Sequence, residues 1–307
     1  MAQLIKLKDY ISRYEVNIFQ YPTQYIRLKN ENWKKMKWRF EKGMMEDQRE
    51  FHPQENRLLN EETGWRKFFR KKKEKNLDED PDPQEDVPTG FGSIEELKQY
   101  YLDGLLPFQM KWATTTLREK SFINQAYQED PNLKYFLQRF PDTYLLMYEP
   151  VSLMKKAEVE IDHLLIGPFG IDIITYLSHP GGTTIYPTTD HSWHIGEGYG
   201  RRNVRNPMLS LRRSETFIKS VLSKYQMDFP FRKVILAPDL DFGPGHEPYQ
   251  TEFIGKGRYQ DWFNEKRNIK SPLKHDQLKV AEALLKHCRT IAFKRPEWDM
   301  EDDSMEE

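Results

Sequence analysis

A mixed α/β domain over residues 91–295 is the fold class that this sequence predicts, and three observations predict it. Helical periodicity governs residues 93–140. Short β-rich segments broken by Pro and Gly begin at residue 143. A helix–strand–helix order then leads toward the C-terminus. Ahead of this domain lies a basic extension, residues 1–75, and then a linker, residues 76–90.

In the extension, LIKLKDYISRYEVNIF reads as short strand or helix pieces, and ENWKKMKWRFEK as a helix with Trp33, Met36, Lys37 and Phe40 at helical spacing. Residues 76–90, NLDEDPDPQEDVPTG, carry three prolines and six acids with almost nothing apolar, a composition that cannot bury a core. Ser93 followed by Glu96 is a capping-box signature, and IEELKQYYLDG continues from it as a helix expected to stop near Gly104 and Pro107. PFQMKWATTTLREKSFINQAY is expected to resume helically, and NLKYFLQRF is an amphipathic helix closed by Pro141.

From Thr143 onward, TYLLMYEPVSL, EVEIDHLLIG, GIDIITYLS, TTIYP and HSWHI predict short strands. Asn206-Pro207 opens the helix MLSLRRSETFIKSVLSKY, whose apolar face is Leu211, Phe217, Ile218, Val221 and Leu222. FRKVILAP reads as a strand buried on both faces, and SPLKHDQLKVAEALLKHC as the last helix. The tail, residues 296–307, is acidic.

The 307-residue chain is long enough for a substantial core, yet only 37% of it is hydrophobic and 31% is charged, so part of it is expected to stay outside. Its net charge of −1 names no partner; the distribution says more. Residues 1–75 hold nineteen Lys/Arg against eleven Asp/Glu, with Trp33, Trp38, Trp65, Phe68 and Phe69 among them. The single cysteine, Cys288, excludes an internal disulfide and a cysteine zinc site, and its helical setting reads as an apolar filler. No leader-like or membrane-spanning apolar run occurs, so a soluble, cytoplasmic protein is expected.

The segment from Asn132 to Leu240 resembles the nuclease-related domain (NERD) family, a bacterial branch of the restriction-endonuclease-like fold. The resemblance rests on an ordered set. It comprises the helix NLKYFLQRF, Asp162 at the start of IDHLLIGP, the Gly170-Ile171 turn, a hairpin from Gly182 with Trp193 in its return strand, Asn206-Pro207 opening a helix, and the strand KVILAP. It implies a mixed-sheet restriction-endonuclease-like core flanked by helices. It also implies a site in which the acid of the first strand and a Glu-x-Lys on the second bind a divalent ion and activate water. Mg²⁺ takes hard oxygen ligands in octahedral geometry, and a lysine nearby stabilises charge developing on phosphate.

Carried over residue by residue, Asp162 matches the first acid. Thr175 stands where the Glu belongs and Leu177 where the Lys belongs, and about Ser210 takes the place of the Gln that follows Asn-Pro. Glu160, two positions from Asp162 on an ideal strand, shares its face and is the candidate second metal and catalytic carboxylate. Lys155 and Lys156 are candidate replacements for the lysine. Asp172 falls on the opposite face from Thr175.

His191 with His194, the Asp239/Asp241/His246/Glu247 loop, and Gly196, Gly198 and Gly200 are weaker candidates. The histidines alternate faces, the acids read as a strand-end loop, and the glycines open no helix. Candidate phosphate contacts are Arg66, Lys67, Arg70, Lys71, Lys72 and Lys73 in WRKFFRKKKEK, together with Arg201, Arg202 and Arg205.

The expectation is a catalytically degenerate nuclease-related protein that binds DNA or RNA or acts as a scaffold, with no cofactor. Two alternatives stay open. One is an active nuclease using Mg²⁺ or Mn²⁺ at Asp162 and Glu160. The other is an interaction module whose basic region takes an acidic protein partner or its own tail.

Overall fold

A computed structural model describes residues 1–42, 91–154, 157–179, 183–196 and 202–295. Two compact units divide the chain, Met1–Tyr25 with Gln109 onward, and Ile26–Phe108. The first residues therefore fold with the α/β domain and are not part of a separate extension. The reason lies in β1 (Gln3–Leu7), QLIKL, every residue of which is buried and which pairs in parallel with a core strand.

Chain order in the first unit runs β1, then α1 (Arg13–Val16), and α2 (Tyr21–Glu41) begins within it. Helix α3 (Ile94–Trp112) is continuous through Gly104 and Pro107, where an interruption is expected from composition. Leu97, Tyr101, Leu105 and Phe108 are all buried along it, and that burial outweighs the local cost of the proline. The helix does not resume after Trp112. Instead come β2 (Glu119–Lys120), a 3₁₀ turn at Gln125–Tyr127, and α4 (Pro131–Arg139), which Asp130 caps by accepting the Asn132 and Leu133 amides.

The β-rich run forms β3 (Leu145–Tyr148), β4 (Val151–Met154), β5 (Ala157–Glu160), β6 (His163–Gly167), β7 (Gly170–Tyr176), β8 (Thr184–Tyr186), β9 (Ser192–Ile195) and β10 (Arg202–Arg205). After it come α5 (Met208–Lys224), β11 (Phe231–Leu236), β12 (Asp241–Phe242), β13 (Thr251–Ile254), α6 (Lys256–Arg267), α7 (His275–Leu285) and β14 (Phe293–Lys294).

The fold is a mixed α/β one. Its central six-stranded sheet has the order β1-β3-β6-β7-β11-β13, with β6 antiparallel to its neighbours β3 and β7, and with β1, β11 and β13 added in parallel. A four-stranded sheet, β10-β9-β8-β12, and two ribbons, β4-β5 and β2-β14, complete the strands among the described residues.

The β6–β7 hairpin turns at Pro168-Phe169, flanked by the paired Gly167 and Gly170. A Cβ on Gly167 would stand 2.8 Å from the Tyr144 ring, and one on Gly170 would stand 2.9 Å from the Pro230 carbonyl, so both positions need glycine. Among the described residues no helix is long and apolar enough to cross a membrane.

In the second unit, Trp33 packs its ring 5.3 Å from that of Tyr101, whose hydroxyl donates to the Lys29 carbonyl.

Candidate functional site at Asp162

Asp162 lies immediately before β6, where the chain leaves the β4-β5 ribbon and enters the central sheet. Its backbone and carboxylate are held from two directions. Its amide donates to Ser214 Oγ (2.9 Å), and Ser214 Oγ donates in turn to Asp162 Oδ2 (2.7 Å). Thr175 Oγ1 donates to the other oxygen, Oδ1 (2.7 Å). Both carboxylate oxygens are thus engaged by side-chain hydroxyls.

Each partner is where it is for a local reason. Thr175 is near the end of β7, one residue on from Ile174, which pairs with His163. Ser214 is fully buried on α5, in the stripe that otherwise carries Leu211, Phe217, Ile218 and Val221. Asn206 sets the start of that helix: its Oδ1 accepts the Met208 amide (2.9 Å) and its side-chain amide donates to the Asp190 carbonyl (2.6 Å).

Ser214 was not singled out by sequence reasoning. The available signal was a polar residue at a core position of an amphipathic helix, one turn beyond Ser210, whose hydroxyl instead donates to the Pro207 carbonyl (3.0 Å).

Glu160 is not brought to Asp162's partners. It ends β5, and its exposed carboxylate faces Lys8 Nζ at 3.7 Å. The face-sharing expected from alternation does not carry across residues 161–162, because the chain changes sheets there. Lys155 and Lys156, like Arg66, Lys67, Arg70, Lys71, Lys72, Lys73 and Arg201, lie outside the described residues. Arg202 and Arg205 are exposed at the two ends of β10, across from Ile195 and Ser192. Leu177, at the lysine position, is half-buried and donates its amide to the Leu236 carbonyl (2.8 Å).

His163, next in sequence after Asp162 and on the other face, stacks on Tyr148 with ring centroids 4.2 Å apart and leaves Nδ1 without a hydrogen bond. Burial pushes its imidazole down to about 4, against a smaller opposing pull from Asp130. Tyr176, between Thr175 and Leu177, is held above its usual value, first by burial and then by Asp239 and Tyr259.

Asp172 is a separate centre on the opposite face. Its carboxylate, buried to 4% exposure, accepts from Arg232 Nε (2.6 Å) and pairs with Lys266 of α6. Arg232 also reaches Glu252 (2.7 Å) and Glu265 (3.5 Å). A cavity of about 310 Å³ opens here, at the other end of β7 from Thr175, lined by Gly167, Phe169, Asp172, Arg232 and Lys266 among others. Its charges are spent on one another.

Of the weaker candidates, Glu247 accepts the Phe253 amide (3.0 Å) and pairs with Arg258, and His194 Nδ1 is bonded to Asn203 Oδ1 (2.7 Å). Among the described residues no group of three His, Cys, Asp or Glu side chains gathers as a metal site would require.

Residues 125–238 match the family described as nuclease-related domain. This segment contains α4 through β11, and therefore Asp162, Thr175 and Ser214 together. A protein described as an RNA 2′,3′-cyclic phosphodiesterase from Geobacillus stearothermophilus is 34% identical over 114 residues, 36% of this chain and 36% of that relative. The chain thus matches about a third of the relative's length. No solved structure matches the chain.

Proposed function

We propose that this protein uses its nuclease-related domain to bind nucleic acid, or as a scaffold on it, without metal-dependent cleavage at Asp162. The observation that carries the reading is the pair of hydroxyl donors, from Thr175 and Ser214, on the two oxygens of Asp162.

A phosphate-cleaving Mg²⁺ centre needs one or two carboxylates with open coordination positions for water and substrate oxygen. Here the carboxylate at the family position accepts a hydroxyl hydrogen bond on each oxygen. Glu160 is turned to Lys8, and Leu177 supplies no ammonium. This donor set does not fit Mg²⁺ or Mn²⁺. What the residues do instead is structural: Ser214 ties the strand entry to α5, and Thr175 ties it to β7.

Support for a nucleic-acid partner comes from the family and from the exposed Arg202 and Arg205. The activity by which the relative is described makes RNA a polymer to test beside DNA.

The test incubates purified full-length protein with single- and double-stranded DNA, RNA, and RNA ending in a 2′,3′-cyclic phosphate, in Mg²⁺, Mn²⁺ or EDTA. The expected result is salt-sensitive binding with no product in any buffer, unchanged in Asp162→Asn. Metal-dependent product that disappears in Asp162→Asn would overturn the reading.

A further inference from the structure

We propose that the ribbon formed by β2 and β14, outside the nuclease-related segment, is a docking platform for single-stranded nucleic acid, with Phe122 and Phe293 as stacking faces and Lys120 as their phosphate contact. The proposal rests on the nucleic-acid-binding reading above and gives that reading a surface.

The residues are unusual for a surface. Phe122 is 68% exposed and Phe293 52% exposed, and their rings lie 5.2 Å apart at an interplanar angle of 52°. Exposed aromatics normally find a core. Here two sit side by side with Lys120 Nζ at 5.5 Å from the Phe122 ring. Lys120 is the cross-strand partner of Phe293, so one face of the ribbon presents Lys120, Phe122 and Phe293 together.

Residues 118–122 and 291–295 hold four basic side chains, Arg118, Lys120, Lys294 and Arg295, and one acid, Glu119, whose cross-strand partner is Lys294. No ion pair among the described residues engages Arg118, Lys120, Lys294 or Arg295.

The platform is also fixed in place. Ser121, buried beneath it, donates its hydroxyl to the Ile291 carbonyl (2.6 Å) and accepts the Ile11 amide (2.8 Å). The Arg295 amide donates to the Arg118 carbonyl (2.8 Å), and the Ile291 amide donates to the Asp9 carbonyl (2.7 Å).

Charge and ring chemistry together select the occupant. Base stacking on aromatic rings tolerates any sequence and requires unpaired bases. Lysines without acidic partners neutralise phosphates and release counterions. A duplex buries its base faces and would leave both phenylalanines unused.

Fluorescence anisotropy of labelled oligouridine and oligothymidine, each about twelve nucleotides, tests this with the full chain, alongside sedimentation with phosphatidylcholine–phosphatidylserine vesicles. Phe122→Ala/Phe293→Ala is expected to weaken oligonucleotide binding by about 20-fold or more. Phe122→Tyr/Phe293→Tyr is expected to restore it, because tyrosine keeps the ring face. Lys120→Ala is expected to lower the slope of log Kd against log salt by about 0.7.

Wild-type binding that survives the alanine pair overturns the platform and leaves the proposed function standing. A wild-type chain that binds neither oligonucleotide overturns the platform, and one that binds no DNA or RNA, single- or double-stranded, overturns both. Vesicle binding lost in the alanine pair while oligonucleotide binding persists reassigns the face to an anionic lipid surface. Because both phenylalanines are exposed, the alanine pair is expected to keep the wild-type circular dichroism and melting temperature. A melting temperature lowered in the tyrosine pair as well would mark the rings as structural and also overturn the proposal.

Discussion

Ser214 decides how Asp162 behaves. Its single hydroxyl serves the amide and the carboxylate of the same residue, and it is fully buried. Ser214→Ala removes both bonds at once and leaves the Asp162 amide and one carboxylate oxygen short of a partner. The expected cost is about 2 kcal/mol in urea denaturation, because two groups of the half-buried Asp162 lose their partner at once. Thr175→Val, nearly the same shape at a half-buried position, removes one of the donors and is expected to cost about 1 kcal/mol. A second expectation follows from the same hydroxyls. A cation bound at 100 times its Kd would stabilise the fold by about 2.7 kcal/mol, so equal melting temperatures in millimolar Mg²⁺ and in EDTA are expected here. A rise abolished by Asp162→Asn would contradict the account of this site.

Among elements, β7 is the strand on which both centres hang, and alternation separates them. Thr175 serves Asp162, which Ser214 ties to α5, while Asp172 serves Arg232 of β11 and Lys266 of α6. That separation was readable from the odd spacing of residues 172 and 175. The partner on α6 was not. KGRYQDWFNEKR carries only Tyr259, Trp262 and Phe263 as apolar anchors, too sparse a pattern to mark a helix. Similarly β10, RNVR, has no alternation because it is an edge strand with little to bury. Burial opposes the charge on Arg232, yet Asp172, Glu252 and Glu265 more than offset it and hold the guanidinium firmly protonated. Lys266, also buried, depends on the same Asp172. Asp172→Asn leaves these two cations short of their shared acid and is expected to destabilise by about 3 kcal/mol or more. The urea midpoint reads this directly, and a change under about 1 kcal/mol would mean that Glu252 and Glu265 suffice for Arg232 and that Lys266 reaches water.

At the scale of the molecule, what the sequence made legible was local. The strands from Leu145 to Ile195 and the helices carrying Leu133 and Leu211 follow from periodicity and caps. The joining of residues 1–7 to the sheet does not, because QLIKL pairs with a strand more than a hundred residues away. A separation of 52 residues likewise hides Ser214 from Asp162. One long-range consequence is measurable in the stability of the whole fold. His163, at the centre of the sheet, is packed between Tyr148 and Phe136, and Asp130, which accepts from the Tyr148 hydroxyl (2.6 Å), is the acid beside them. Its folded-state value of about 4 lies below the ordinary 6.5. Above pH 6.5 the imidazole is neutral in both folded and unfolded chains and contributes no pH dependence. As pH falls from 6.5 toward 4 the unfolded chain takes up the proton and the folded one does not, so stability drops across that window and levels off below it. At 1.36 kcal/mol per unit, the His163 share between pH 7 and pH 5 is about 2 kcal/mol. His163→Phe keeps the ring against Tyr148 and cannot titrate. Relative to wild type it is therefore expected to gain about 2 kcal/mol on going from pH 7 to pH 5 in paired urea titrations. Parallel pH profiles for the two proteins would show that the imidazole reaches solvent and is protonated in the fold.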